Sequence, residues 1–177
     1  RDFSSGKLSA LALVEHHSAD LRNNDKKTKR IAEEGKLMAT RWIEMDNLDS
    51  PDDDLRQRGF AQGAARFARA DGISYSDGAL YLCCTDGGPN KQGQIFRILP
   101  RHFGDAHPAV ELFLEPEERD LLTNGDNLCA APNGDLIICE DLITEHKMKT
   151  PHLRGVTPEG KIFNLPRNAE RKSTRLN

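Results

Sequence analysis

Asp71-Gly-Ile-Ser-Tyr-Ser-Asp-Gly-Ala-Leu-Tyr-Leu-Cys-Cys-Thr-Asp86 lies without a gap over Asp126-Asn-Leu-Cys-Ala-Ala-Pro-Asn-Gly-Asp-Leu-Ile-Ile-Cys-Glu-Asp141. The matches are Asp71/Asp126, Ile73/Leu128, Tyr81/Leu136, Leu82/Ile137, Cys84/Cys139 and Asp86/Asp141. Each copy reads as strand, turn, strand. Ser76-Asp77-Gly78 and Pro132-Asn133-Gly134 supply the turns, because glycine takes the positive φ that a tight hairpin needs. Farther along, Gly93-Gln-Ile-Phe-Arg-Ile98 lies over Gly160-Lys-Ile-Phe-Asn-Leu165. With Ala109–Leu114 and Leu153–Val156 as further strands, the chain holds two copies of a turn-rich unit, roughly 55–65 residues apart.

Such a unit cannot bury both faces alone and must stack on a neighbour. The expected fold is therefore all-β, a β-propeller fragment with an incomplete ring and short helical or irregular insertions. Residues 63–170 form the two blade-like repeats. Residues 1–62 form an N-terminal segment with a strand near 38–45, read as a possible piece of a third blade, and an Asp-rich loop at 46–54. A short acidic helical stretch is expected at 116–122, and residues 25–36 read as a solvated helix or an irregular connection. The chain starts at Arg1 and runs out in Arg171-Lys-Ser-Thr-Arg-Leu-Asn177 with no closing element. The expectation is a piece of a longer protein with a non-native or disordered tail over 171–177.

Composition narrows the function. Of the 177 residues, 25 are Lys or Arg and 28 Asp or Glu, a formal net charge of −3. That balance argues against a protein that coats nucleic acid or anionic membrane. No apolar run approaches the ~18 residues of a membrane span. The four cysteines, at 83, 84, 129 and 139, show no zinc-type spacing, and three fall in apolar strand patterns as small buried hydrophobes. The six histidines lack paired ligand spacing, and the Asp-rich loop lacks the EF-hand pattern. No nucleophile elbow is present.

The repeat itself places the candidate chemistry. Asp71 and Asp126 head the first strand of each copy, and Asn127 adds a neutral oxygen. Glu140 and Asp141 end the next strand, where Thr85 and Asp86 stand in the other copy. Carboxylates repeated by the architecture and converging on one axis make an oxygen-rich cage for hard cations. The alternative is that they cap turns. Arg66 and Arg69 precede the first repeat and are candidate phosphate clamps, since a guanidinium offers a planar fork of donors. Three residues apart on an extended segment they point to opposite faces, so at most one reaches a site with Asp71. The alternative for each is a plain salt bridge.

Gly63-Ala-Ala-Arg-Phe-Ala-Arg-Ala-Asp-Gly-Ile73, Cys84-Thr-Asp-Gly-Gly88, Gly93-Gln-Ile-Phe-Arg97, Asp126-Asn-Leu128, Pro132-Asn-Gly-Asp-Leu136, Cys139-Glu-Asp141 and Leu153-Arg-Gly-Val-Thr-Pro-Glu-Gly160 in this order resemble the PhoX family of alkaline phosphatases. The resemblance runs from about Leu8 to Glu170, the Asn168 region included. It implies a β-propeller phosphomonoesterase acting on small phosphate monoesters, exported in bacteria to the periplasm or beyond. It also implies Ca2+ and Fe3+ in the channel, held by carboxylates and a cysteine. By the same resemblance Glu140 is the first-choice metal ligand, Asp71 stands where relatives commonly carry Glu, and Asp126 and Asn127 match an Asp-Asn pair. The family's early Asn-His-Glu segment and its Ser-Glu-Phe-Ala-Gly segment are absent. Two other readings stay open: a calcium-binding propeller module without catalysis, and a calcium-dependent lactonase-type propeller enzyme.

Overall fold

A computed structural model describes residues 6–100, 108–118, 121–141 and 151–167. The tail over 171–177, Asn168 and residues 119–120 of the acidic stretch lie outside the described residues. The strands are β1 (Ser9–Leu13), β2 (Met38–Glu44), β3 (Ala70–Ser76), β4 (Ala79–Cys84), β5 (Gln94–Leu99), β6 (Ala109–Leu114), β7 (Gly125–Ala130), β8 (Leu136–Glu140), β9 (His152–Val156) and β10 (Ile162–Arg167). Among the described residues the one α-helix is α1 (Leu55–Ala61). The fold is all-β.

Two antiparallel meanders account for most of it. Strands β3 to β6 and β7 to β10 each follow in sequence order, in sheets ordered β1-β2-β6-β5-β4-β3 and β10-β9-β8-β7. The first strands of the two meanders, β3 and β7, meet: the amide of Ala130 donates to Ser74 Oγ at 3.1 Å. Farther up, a Cβ on Gly72 would stand 2.7 Å from the Asp126 carbonyl oxygen and 2.9 Å from Asn127 Cα. Only glycine allows two backbones so close. This is the stacking of neighbouring propeller blades, as the repeat requires.

Alternation decides which faces are buried. Tyr81, Cys83 and Ile95 from the first sheet meet Leu128, Leu136, Ile138 and Val156 from the second in one core. Full burial of side chains such as Ile138 and Leu136 stabilises by about 1.5–3 kcal/mol each. The opposite face of the first sheet, with Phe96, Ile98, Val110 and Leu112, is covered by Leu13, Ala19, Leu21 and Ala32 of the N-terminal segment. That segment therefore serves as a lid of core for the first blade.

The structure corrects the sequence reading in several places. Strand β2 is no piece of a third blade: Met38 pairs with Val110 and Ala39 with Ala109, so β1 and β2 extend the first sheet. Residues 25–36 take the irregular form, the second of the two expected for them, and are tied to the sheet by the Glu34–Leu112 bridge, whereas the described part of 116–122 does not hold the expected helix. Helix α1 was not anticipated. Its Leu-Arg-Gln-Arg-Gly-Phe-Ala sequence buries only Gly59, so there is no apolar stripe to read. It is started instead by Ser50 Oγ, which accepts from the amides of Asp54 and Leu55 at 3.0 Å each. Cys139 and Cys129 are exposed, on the face of the second sheet away from the first, whereas Cys83 and Cys84 are buried.

The repeat alignment also shifts by one residue in its second half. In the first hairpin Ile73 faces Leu82, but in the second Leu128 faces Ile138. The first turn holds two residues, Asp77 and Gly78, with φ of 47° and 83°. The second closes from the Ala131 amide to the Asp135 carbonyl around Pro132, Asn133 and Gly134, one residue longer. Structural equivalents are therefore Cys83/Cys139, Cys84/Glu140 and Thr85/Asp141. The gapless pairs Cys84/Cys139 and Asp86/Asp141 do not hold, because a one-residue slip exchanges the two faces of a strand.

Candidate active site

Asp71 and Asp126 occupy the same irregularity in both blades. The pairing register slips between Ala70 and Ile73 in one copy and between Gly125 and Leu128 in the other. A bulge bends its strand and re-aims a side chain. Here two bulges lie side by side, and the absent side chain of Gly72 lets them touch. Asp71 and Asp126 thus come to the blade boundary from either side, near enough that the charge of Asp71 acts on the Asp126 carboxyl.

The electrostatics follow from that contact. Burial and the charges of Asp71 and Asp141 push the Asp126 carboxyl up from the ordinary carboxylate value, with Arg69 opposing. Thr85 Oγ1 donates to Asp71 Oδ2 at 3.2 Å. Beneath the pair, the buried Cys83 thiol is pushed up to about 12 by burial and by the charges of Asp126 and Asp71. It is held neutral, as a small packing group.

The two arginines part company. Arg69, in the left-handed region at φ 44°, accepts the Thr85 amide on its carbonyl at 3.0 Å and sets Nη1 3.4 Å from Asp86 Oδ2. It stands at the edge of the carboxylate group. Arg66 lies elsewhere, bridged to Asp20 with its guanidinium 5.0 Å above the Phe60 ring. Asn127 is exposed, and its backbone forms part of the wall facing Gly72.

Glu140 is engaged in a different way. It is nearly buried, and its two oxygens accept four hydrogen bonds. Thr123 N at 3.1 Å and Arg154 Nε at 2.8 Å reach Oε1; His152 N at 3.0 Å and Nδ1 at 3.3 Å reach Oε2. Arg154 is equally buried and also donates to Asn164 Oδ1. Glu140 thus closes an ion-pair network inside the second sheet. The first blade carries Cys84 at the equivalent point, so the architecture does not repeat this acid.

Among the described residues, no three His, Cys, Asp or Glu side chains stand together in metal-holding geometry. Asp71 and Asp126, with Asp141 in electrostatic range, nonetheless form a set of hard oxygen donors whose mutual repulsion a cation would relieve. In chemistry, though not in assembled geometry, these oxygen donors are of the type that hard cations take. Glu140, with its acceptor sites filled, does not add to that set in this arrangement.

The family model of alkaline phosphatase PhoX matches residues 3–175. The chain belongs to the PhoX family. No curated protein and no solved structure gives a significant match. The PhoX match spans both blades and the N-terminal segment, so the carboxylate pair at their boundary lies inside the family's own extent. The sequence singles out the heads of the repeats, Asp71 and Asp126, but gives no special place to Cys83, whose thiol feels both of their charges, or to Asn124, whose side chain ties down the carbonyls of Thr85 and Lys91. Neither has a motif. Cys83 reads as one more strand residue, and Asn124 lies outside the repeat.

Proposed function

We propose that this PhoX-family chain takes part in metal-dependent hydrolysis of small phosphate monoesters, with Asp71 and Asp126 holding a hard cation, calcium first and ferric iron second. The observation that supports this reading is the PhoX family match, with the two equivalent aspartates placed on either side of the backbone contact at Gly72. Two carboxylates held near each other repel, and folded chains keep such pairs where a proton or a cation offsets the repulsion. A bound cation supplies Lewis-acid polarisation of a phosphoryl oxygen.

The chain's own groups do the rest. Asp71 and Asp126 bind, and Thr85 orients Asp71 through its hydroxyl. Arg69 offers a guanidinium fork to phosphate oxygens by exchanging its long contact with Asp86, and neutralises charge developing there. Asn127 supplies a neutral oxygen at the rim. Glu140 fixes the end of β8 from behind, so that Asp141 is presented to Asp126. Arg66 takes no part. Family membership supports a place outside the cytoplasm, and among the described residues no helix is long and apolar enough to cross a membrane.

The test is elemental analysis of the purified chain together with p-nitrophenyl phosphate hydrolysis, with and without calcium, in wild type and in Asp71→Asn. Bound metal and calcium-dependent turnover, both lost in Asp71→Asn, support the reading. Bound calcium without turnover on the phosphate ester moves the assignment to a binding module or a lactonase-type enzyme. Absence of any metal binding reduces the acids to turn caps and sinks the proposal.

A further inference from the structure

The junction between the two blades joins two unlike faces. The first sheet offers Cys83 and Ile95, opposite each other on β4 and β5, and the second offers Leu128 and Ile138, opposite each other on β7 and β8. All four are buried in one core. Because the meander is used twice, each face recurs once more in the chain. Cys139 and Leu153, opposite each other on β8 and β9, are the second sheet's equivalents of Cys83 and Ile95. Both are exposed, Leu153 by 38%. Ile73, opposite Leu82, is the first sheet's equivalent of Leu128, and it is 56% exposed. Tyr75, two residues on and therefore on the same face, is 66% exposed.

The two blades thus present, on their outer sides, the two halves of their own internal junction. Uncharged apolar side chains of this kind, grouped at a surface, mark an interaction site. The N-terminal segment covers Phe96, Ile98, Val110 and Leu112 on β5 and β6 and leaves the β3 part of that face open. The open part is the one a junction uses, since inside the chain the second blade meets the first chiefly through its first strand, β7, against β3 and β4. One molecule cannot join its own two halves, because they lie on opposite sides of the stacked sheets. We propose that a second copy of this chain supplies the complement, the Cys139–Leu153 face of one copy receiving the Ile73–Tyr75 face of the next, head to tail. Such a contact closes into a ring where its rotation returns to the start. Propeller rings hold about 4–8 blades, the number that two to four copies bring. Asn127 stands before Leu128 where the internal junction has Gly72 before Ile73, so one edge of the new contact is wider and the association weaker than the junction within the chain.

The test is sedimentation velocity on the purified chain over a wide range of concentration. Metal-free buffer separates the result from the cation site, and a reductant keeps Cys129 and Cys139 as thiols. Ile73→Glu charges one half of the junction and Leu153→Glu the other. Both positions are exposed, so the fold tolerates the change, which circular dichroism checks. Tyr75→Glu and Cys139→Asp replace them should either variant fail to fold. Wild type is expected to associate as concentration rises. Each variant alone is expected to stay monomeric, because every contact needs one half of each kind. An equimolar mixture of the two is expected to regain a complex of one copy of each, through the halves left intact. Wild type that stays monomeric throughout overturns the proposal. Self-association that survives in Ile73→Glu overturns it too, since the Cys139–Leu153 face would then pair with itself. A mixture that remains monomeric overturns the head-to-tail pairing.

Discussion

Replacing Gly72 by alanine tests the blade contact most directly. A Cβ there would lie 2.7 Å from Asp126 O, 2.9 Å from Asn127 Cα and 2.9 Å from Leu128 N. All three are backbone atoms, so no flexible side chain can swing away, and β7 must retreat by roughly half an ångström or more to reach ordinary contact. Inserting a methyl into such a contact costs about 1–3 kcal/mol. Alanine narrows the unfolded ensemble and returns about 0.4–1 kcal/mol, since Gly72 does not occupy a positive φ. The net expectation is a loss of about 1–2 kcal/mol, or ~2–8 °C in thermal midpoint for a chain of this size. Circular dichroism in metal-free buffer reads the midpoint, and calcium titration reads the second effect. As the blades part, Asp71 draws back from Asp126 and calcium affinity falls. A midpoint equal to or above that of wild type would show that β3 and β7 do not meet as described, and the site built on that contact would go with it.

Further outcomes are expected from the charged and sulfur groups. Because the folded Asp126 carboxyl is raised from the ordinary 3.8, its favourable contribution is full below that value and is lost as pH rises through the folded value. Asp126→Asn should thus melt higher than wild type at pH 7 without metal, the gap closing below about pH 4, and calcium should reverse the order; a metal-free gap of opposite sign contradicts the repulsion. Glu140→Gln leaves the buried Arg154 without its counter-charge and should cost about 3 kcal/mol, seen as a lower midpoint in chemical denaturation. Lost activity in that variant would not by itself identify a metal ligand; an unchanged midpoint would refute the closed network. With a thiol reagent in native buffer, Cys129 and Cys139 should react quickly and Cys83 and Cys84 only after unfolding. Rapid modification of all four would contradict the core between the sheets.

The strands and turns were legible in the sequence because they rest on local rules. Alternating apolar residues, Asp77-Gly78 and Asn133-Gly134 specify hairpins within a few residues, and the recurrence of Asp71 at Asp126 reports one architecture used twice. The sequence alone also carried the family, through the order of its motifs. Register lay beyond it. The turn at 132–134 is one residue longer than its counterpart, and only the hydrogen-bonded ladder shows that Glu140 matches Cys84 while Asp141 matches Thr85. The fate of each charged side chain was likewise a tertiary matter. Glu140 is drawn into the Arg154 and His152 network by β9, a strand more than ten residues away, and the Arg66 guanidinium is drawn over the Phe60 ring. Asn124 has no local signature at all, since its partners at Thr85 and Lys91 come from the other blade. Local sequence specifies backbone conformation through steric preference; which charges meet depends on contacts between distant segments, and those exist only once the two blades have stacked.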